Sequence, residues 1–427
     1  MVHALVAGGG IGGLACALAL ARGGHRVTVL ERRQELTEIG AGIQIAPNGF
    51  LALDRLGVGP AVRARGVHVE ALRLVDGATG ELLAGLPLTG EYRHRFRGGY
   101  AVVGRRDLYG PLLAACRAAP AVTLVTGASV ADYTQGPGDV TVRTADGRAF
   151  RGDLLVGADG LWSAVRARLV DDGPPKPSGH TIHRALVPVE RVPEHLRWNT
   201  VTLWAGTGRH LVHYLIDGGR HLNVALTVDD GAQELVSGRP VPREHVLDRL
   251  DGLHPLARNV AGLADAWREW VLCDRDPVAT WTDGRVALLG DAAHPMLQYA
   301  AQGACQALED AVVLGGLLNS AGPGAVPGLL AVYRDARWSR AGSAQLLARE
   351  MGDRLYHPSG ALARSRDALL RSLSEEDLYA KVTWLHGARD FTGPGPAALT
   401  RELVGPPATA EGGRPVRATA GSGRLVP

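Results

Sequence analysis

The chain has 427 residues, enough to bury a large core in one large domain or two closely joined ones. It is 46% hydrophobic and 21% charged, and its net charge of +3 comes without a basic run or interleaved aromatics, so nucleic acid is excluded as an expected partner. Its four cysteines (Cys16, Cys116, Cys273 and Cys305) form no CxxC pair, so no metal centre or redox dithiol is expected, and free thiols in a cytoplasmic protein are.

His3 to Ala7 reads as a buried strand, Ile11 to Arg22 as a small apolar helix closed by Gly23-Gly24, and Arg26 to Glu31 as a second strand. This is a βαβ opening. The apolar stretch from Leu5 to Ala21 has no basic start, carries five glycines and falls short of the ~20 residues that cross a bilayer, so no membrane partner is expected. Residues 50–70 and 105–118 look helical, and Val122 to Val125, Val140 to Thr144 and Leu154 to Val156 look like strands. A proline-rich crossing at 173–178 marks a boundary. Beyond it Thr200 to Ala205, His210 to Ile216 and Leu222 to Val228 alternate as strands, and Asp217-Gly218-Gly219 predicts a hairpin between the last two. Val286 to Gly290 reads as a buried strand that runs into a helix through about Leu318, and a further helical zone spans 328–385. From Thr392 the composition predicts a disordered tail.

Three short patterns stand far apart on this frame. Gly8-x-Gly10-x-x-Gly13 follows a strand and opens a helix, where glycines bring backbone N–H groups up to a pyrophosphate and the helix N-terminus adds partial positive charge. Glu31 ends the second strand 18 residues after Gly13, near the ~20 expected for a ribose-binding acid, which disfavours a 2′-phosphate. Gly157-Ala158-Asp159-Gly160 and Gly290-Asp291-Ala292-Ala293-His294-Pro295 each follow an apolar strand. Asp291 there is expected to accept hydroxyl hydrogen bonds or to cap a helix, and Pro295 suits a first helical turn. Together the three patterns predict one long nucleotide, FAD, held by distant pieces of chain. No second Gly-x-Gly-x-x-Gly occurs, so a nicotinamide has to bind without a Rossmann domain of its own.

These motifs resemble those of the single-component FAD-dependent aromatic hydroxylases, over about residues 1–390. Further echoes are Gly40 to Asn48, Gly104 to Leu108, His294 to Tyr299, Gln302 to Ala311, and Trp384-Leu385-His386-Gly387, which are most similar to the salicylate and 3-hydroxybenzoate branch. Gly104, Cys305 and His386 depart from that branch's commoner His, Asn and Tyr. The resemblance implies an α/β (α+β) fold. A Rossmann-like FAD-binding domain would be built from 1–75, 100–175 and 271–355, and a β-sheet substrate domain from 76–99 and 176–270. C-terminal helices would fill 356–391, and 392–427 would be the tail.

The resemblance also implies roles. Glu31 would hold the FAD ribose, Arg105 would sit near its phosphates, and Asp159 would belong to a motif serving FAD and NAD(P)H. Asp291 would meet the sugar-phosphate part, and Pro295 would lie beside the isoalloxazine. Gly8, Gly10 and Gly13 complete the cofactor set. His210 and Tyr214 match a His-x-x-x-Tyr pair that faces the substrate ring, with Gln298 as their partner. The implied activity hydroxylates a phenolic aromatic or heteroaromatic acid with NADH or NADPH and O2, through a flavin C4a-hydroperoxide, in a monomer or homodimer.

Phenol chemistry asks for a base that titrates near neutrality, and His210 is the natural choice. The spacing of four puts His210 and Tyr214 on one side of a strand, with His213 on the other. No arginine can be assigned to a substrate carboxylate, since Arg209 and Arg220 are only neighbours in sequence. The same motifs also suit a flavoprotein dehydrogenase without oxygen transfer or a non-catalytic flavin-binding protein. The chain lacks the Trp-x-Trp-x-Ile-Pro signature of a flavin halogenase.

Overall fold

In the computed structural model, residues 1–37 and 42–393 are described; the expected tail beyond 393 and part of the Gly40–Asn48 echo lie outside them. The opening segment folds as its apolar pattern dictates. The strand His3–Ala7 lies between Arg26–Leu30 and Leu154–Gly157, all parallel, and Val122–Val125 and Val286–Leu288 extend the sheet on either side. Thr282–Asp283 closes one edge in the antiparallel sense. These strands are nearly continuous runs of Val, Leu and Ala, as expected for a parallel sheet covered on both faces. The helices Ile11–Arg22 and Gly303–Leu318 pack together over it.

The larger sheet has eight strands. From one edge they run Ser237–Val241, Trp267–Asp274, Lys176–Pro188, His221–Ala232, Arg209–Ile216, Thr200–Gly206, Ala71–Asp76 and Leu82–Pro87. The hairpin at Asp217–Gly219 forms as predicted. Alternation along the strands sends one set of side chains toward the nucleotide-binding part. The other set goes to a separate core under the helices Arg243–Leu247 and Pro255–Gly262. A three-stranded antiparallel sheet and the pair Gly42–Ile45 with Ala101–Gly104 complete the β structure among the described residues.

Three expectations are corrected. The 50–70 region holds two short helices, Pro47–Arg55 and Gly59–Arg63, because the chain turns at Leu56-Gly57. Ala71–Asp76 belongs to the eight-stranded sheet, where it pairs in parallel with Thr200–Gly206, so a boundary at 75 cuts through a strand. The strand Val286–Leu288 does not run into a helix. It opens into one tight turn, Gly290–Ala292, and a loop with a second turn, Gln298–Ala300, and the helix starts only at Gly303.

Candidate active site

A continuous cavity of about 820 Å3 runs from the Gly8–Gly12 turn, past Arg105, Asp159 and Asp291, to the inner face of the large sheet. Its volume lies near the top of the range for sites that enclose a small molecule, roughly 300–1,000 Å3. At the first end the wall is backbone. Gly8 has φ +102°, and a Cβ there would stand 2.3 Å from the Ala158 carbonyl oxygen. A Cβ at Gly13 would stand 1.9 Å from the Gly8 carbonyl oxygen. The first two glycine motifs therefore press directly on each other, and no larger residue fits at either position.

Gly10 faces open space, with no atom within 4 Å of where its Cβ would be. It precedes the helix Ile11–Arg22, whose N-terminus no side chain caps. The first N–H groups of that helix are left for a ligand anion. Glu31 stands on the rim, its Oε2 accepting the Gly9 N–H at 2.7 Å and its Oε1 accepting the Arg33 N–H at 2.9 Å. An uncapped N-terminus supplies the N–H donors that a nucleotide pyrophosphate requires, and the fixed acid beside it the acceptor that a ribose requires, so these residues fit FAD.

Asp159 lines the cavity but commits its carboxylate to the protein. It accepts from the Ser163 hydroxyl, from the Ala164 N–H at 2.8 Å and from the Val165 N–H at 3.3 Å, at the start of the helix Ala164–Val170. Burial raises its pKa against the pull of these bonds. Asp291 is exposed to the cavity and caps no long helix. Pro295 is buried in the loop behind the wall, its carbonyl oxygen accepting from Gln345 Nε2 at 2.8 Å; Met296, Leu297 and Gln298 line the cavity in its place. Its expected place in a first helical turn is lost because the helix begins later.

That loop is held from behind by an ionic cluster that the sequence reading did not foresee. Asp310 Oδ2 accepts from His294 Nε2 at 2.6 Å and from the Gly290 N–H at 3.0 Å. Arg337 Nε donates to Asp310 Oδ1 at 2.7 Å, and its Nη1 donates to Glu309 at 2.7 Å. Arg340 and Asn48 also bond Glu309. His294, Glu309, Asp310 and Arg337 are fully buried. Against the raising effect of burial, the neighbouring His294 and Arg337 and the hydrogen bonds it accepts lower the Asp310 pKa to about 2. Every charge in the cluster meets an opposite one.

The far end of the cavity is made of side chains on the large sheet. His210 and Tyr214 both line it, while His213 packs between Trp198 and Trp204 on the opposite face, as the parity of the strand predicts. The Tyr214 hydroxyl donates to the Gly42 carbonyl oxygen at 3.3 Å, and burial pushes its pKa up to about 12. His210 Nδ1 lies 2.7 Å from His357 Nε2, so one ring nitrogen, Nε2, is left for the cavity. Burial, with His357 and His180 nearby, pushes His210 well below the usual histidine range, so the free residue does not titrate near neutrality as expected. His386, one of the departures, also lines the wall with Nδ1 at 2.9 Å from the Tyr92 hydroxyl, and burial lowers it to about 3.

Arg184 enters this end unannounced. It sits on the strand Lys176–Pro188 and faces the cavity beside Ile182. Its Nη2 donates to Gln298 Oε1 at 2.5 Å, and Gln298 Nε2 donates to Thr227 Oγ1 at 3.3 Å. The Trp270 ring lies 5.6 Å away. Among the described residues no carboxylate pairs with Arg184. The protein encloses it, and its remaining exposed surface faces the cavity, so burial lowers its pKa from the usual arginine value.

A sheet with a glycine-rich nucleotide turn, an aromatic-sized extension and a closed ionic latch defines an FAD-binding oxidoreductase. The family described as FAD binding domain matches residues 1–208 and 240–347, and the chain belongs to it. The protein is an FAD-dependent, NAD(P)H-using aromatic monooxygenase. It is 45% identical over 384 residues to 3-hydroxybenzoate 6-hydroxylase 1 of Aquipseudomonas alcaligenes, a match that covers 90% of this chain and 97% of that one. It is 36% identical over 384 residues to a 3-amino-4-hydroxybenzoate 2-monooxygenase of Streptomyces platensis, covering 90% and 95% of the two chains. A solved salicylate hydroxylase–substrate complex superposes with TM-score 0.79 at 26% identity, covering 96% of this chain and 99% of that one. No helix among the described residues is long and apolar enough to cross a membrane.

Proposed function

We propose that this enzyme hydroxylates 3-hydroxybenzoate para to its hydroxyl group, giving 2,5-dihydroxybenzoate, and that the cavity end around Arg184 and His210 is the substrate site. The observation that carries this is the Arg184 guanidinium. A charge that is enclosed without a counter-ion is costly, and a substrate carboxylate supplies the missing partner as a charge-assisted, bidentate acceptor. The relatives' names support the same chemistry, because all three act on a benzoate that carries a hydroxyl group.

When bound, reduced FAD supplies the electrons and activates O2. The remaining tasks fall to the chain. Arg184 anchors the carboxylate and Gln298 fixes the guanidinium, which sets how far the ring reaches. His210 is neutral in the free enzyme and offers the Nε2 lone pair to the phenol proton. As Nε2 gains that proton, the 2.7 Å contact lets Nδ1 pass one to His357, so the pair carries a single added charge. The resulting phenolate and imidazolium attract each other strongly because the walls exclude water. Tyr214, with its hydroxyl tied to Gly42, presents a rigid aromatic edge to the ring. Leu203, Val212, Leu355 and Leu370 close the apolar sides, which keeps water from the reacting centre. We place Glu31, Arg105 and Asp291 at the cofactor, and read Asp159 as the residue that shapes the turn beside it.

The test is turnover of FAD-loaded enzyme with 3-hydroxybenzoate, NADH or NADPH, and 18O2. The expected product is 2,5-dihydroxybenzoate with one labelled oxygen. Nicotinamide oxidation that yields only hydrogen peroxide, or product without label, would overturn the assignment.

A further inference from the structure

We propose that His183, His245 and Glu269 form a binding site for a single divalent transition-metal ion, zinc by preference, on the face of the large sheet turned away from the cavity. His183 lies on the strand Lys176–Pro188, next to Arg184 and pointing to the opposite side. Glu269 is its register partner on the neighbouring strand Trp267–Asp274, so both side chains leave the same face. His245 comes from the short helix Arg243–Leu247, which crosses that face.

Three features point to a cation. His183 is fully buried, and neither of its ring nitrogens has a hydrogen-bond partner. His245 Nε2 is likewise buried without one. A neutral imidazole always carries one N–H, so these orphan atoms are an unmet cost in a protein interior. Finally, the atoms converge. Glu269 Oε2 lies 3.4 Å from His183 Nε2 and 3.6 Å from His245 Nε2, and one ligand atom from each residue falls within 4.8 Å of the others. Zinc bonds of about 2.0–2.2 Å in tetrahedral array set ligand atoms about 3.4 Å apart, so the ion fits with little movement and keeps its fourth position for water.

The surrounding charges are consistent with this. Arg239 bonds Glu269 Oε1, which leaves Oε2 for the ion and orients the carboxylate from outside. Arg249 donates to the His245 carbonyl oxygen at 3.1 Å and touches His245 Nδ1 at 3.4 Å. Ligation through Nε2 places the proton on Nδ1, so the longer contact gives way while the shorter one holds. Asp230 is a further acid near His183. The site lies on the face of the sheet opposite the cavity, and its role is to tie a helix to the sheet.

The experiment uses FAD-loaded enzyme stripped with EDTA, then titrated with ZnSO4 and, separately, CoCl2. About one equivalent should bind, with the visible absorption of four-coordinate cobalt, and zinc should raise the melting temperature. His245→Ala and His183→Gln should each weaken binding by roughly tenfold or more while the flavin spectrum, the control for folding, is retained. His245→Ala is the milder variant, since His245 is partly exposed whereas His183 is fully buried. Wild-type protein that binds no ion saturably would overturn the proposal. So would binding equally tight in His245→Ala, which would mark an adventitious ion elsewhere.

Discussion

Two buried polar groups lie on either side of the 289–302 loop, and they differ in one respect. Behind the loop, Arg337 and Arg340 meet Glu309 and Asp310, and His294 completes the cluster, so charge is balanced within the protein. In front of it, among the described residues, Arg184 meets only the neutral Gln298 and the Trp270 face. Both groups are enclosed, and both join segments far apart in sequence. A closed cluster fixes architecture, whereas an open one signals a ligand, because the chain is left to stabilise a charge with nothing of its own.

Breaking the closed cluster should give the largest effect. Arg337→Ala removes the cation that bridges the Glu309 and Asp310 carboxylates in a dry interior, and removing one partner of such a set costs about 3–5 kcal/mol. The expected outcome is a protein that unfolds at much lower denaturant and loses FAD as it does so. A midpoint within error of wild type would show that the cluster is not holding the loop.

On the open side, His210→Ala should leave stability and FAD binding near normal but slow hydroxylation by about 10²–10⁴-fold, the usual contribution of a positioned proton acceptor. Nicotinamide oxidation should become uncoupled, with hydrogen peroxide replacing product. Normal, coupled turnover would remove His210 from the reaction and leave it as a packed histidine of the sheet.

Buried neutral histidines and the buried ionic cluster should also part in acid. His213, His357 and His386 are each lowered to about 3 by burial, so the unfolded chain binds protons that the folded one refuses. Stability should therefore begin to fall as pH drops below about 6.5, the histidine value in the unfolded chain. Asp310, held at about 2, contributes stability that is full above the ordinary aspartate range near 4 and disappears as pH falls through 2, which steepens the loss. Urea denaturation from pH 8 to pH 3 would show two successive slopes, and a flat profile between pH 6.5 and 5 would contradict the histidine contribution.

Much of this was legible in the chain. The glycine spacing located the tight turn at one end of the cavity, because sterics require glycine at Gly8 and Gly13. The parity of His210 and Tyr214 on a strand assigned them to one face and sent His213 to the other. Arg184 escaped because a single arginine in an alternating strand reads as solvent-facing; only the register of Lys176–Pro188 against its neighbours turns it toward the cavity. Its visible signal was that Ile182 and Arg184 share a face with opposite character. The Asp310–Arg337 latch escaped because its members are bonded across 27 residues of chain, a pairing that no local period encodes. The turn at 290–294 is closed by the Ala293 and His294 N–H groups on the Gly290 carbonyl oxygen and tied to Asp310, and it does not extend into the helix, which starts only at Gly303.

The most direct test of the open cluster pairs Arg184→Met with a change in the ligand, comparing 3-hydroxybenzoate with 3-hydroxybenzamide in both proteins. The prediction is that wild type prefers the carboxylate by roughly 10²-fold in kcat/KM, a loss of about 2–3 kcal/mol when either partner is removed, and that the preference vanishes in the variant. An Arg184→Met enzyme that still favours the carboxylate to the same degree would show that the enclosed guanidinium is not the substrate's anchor.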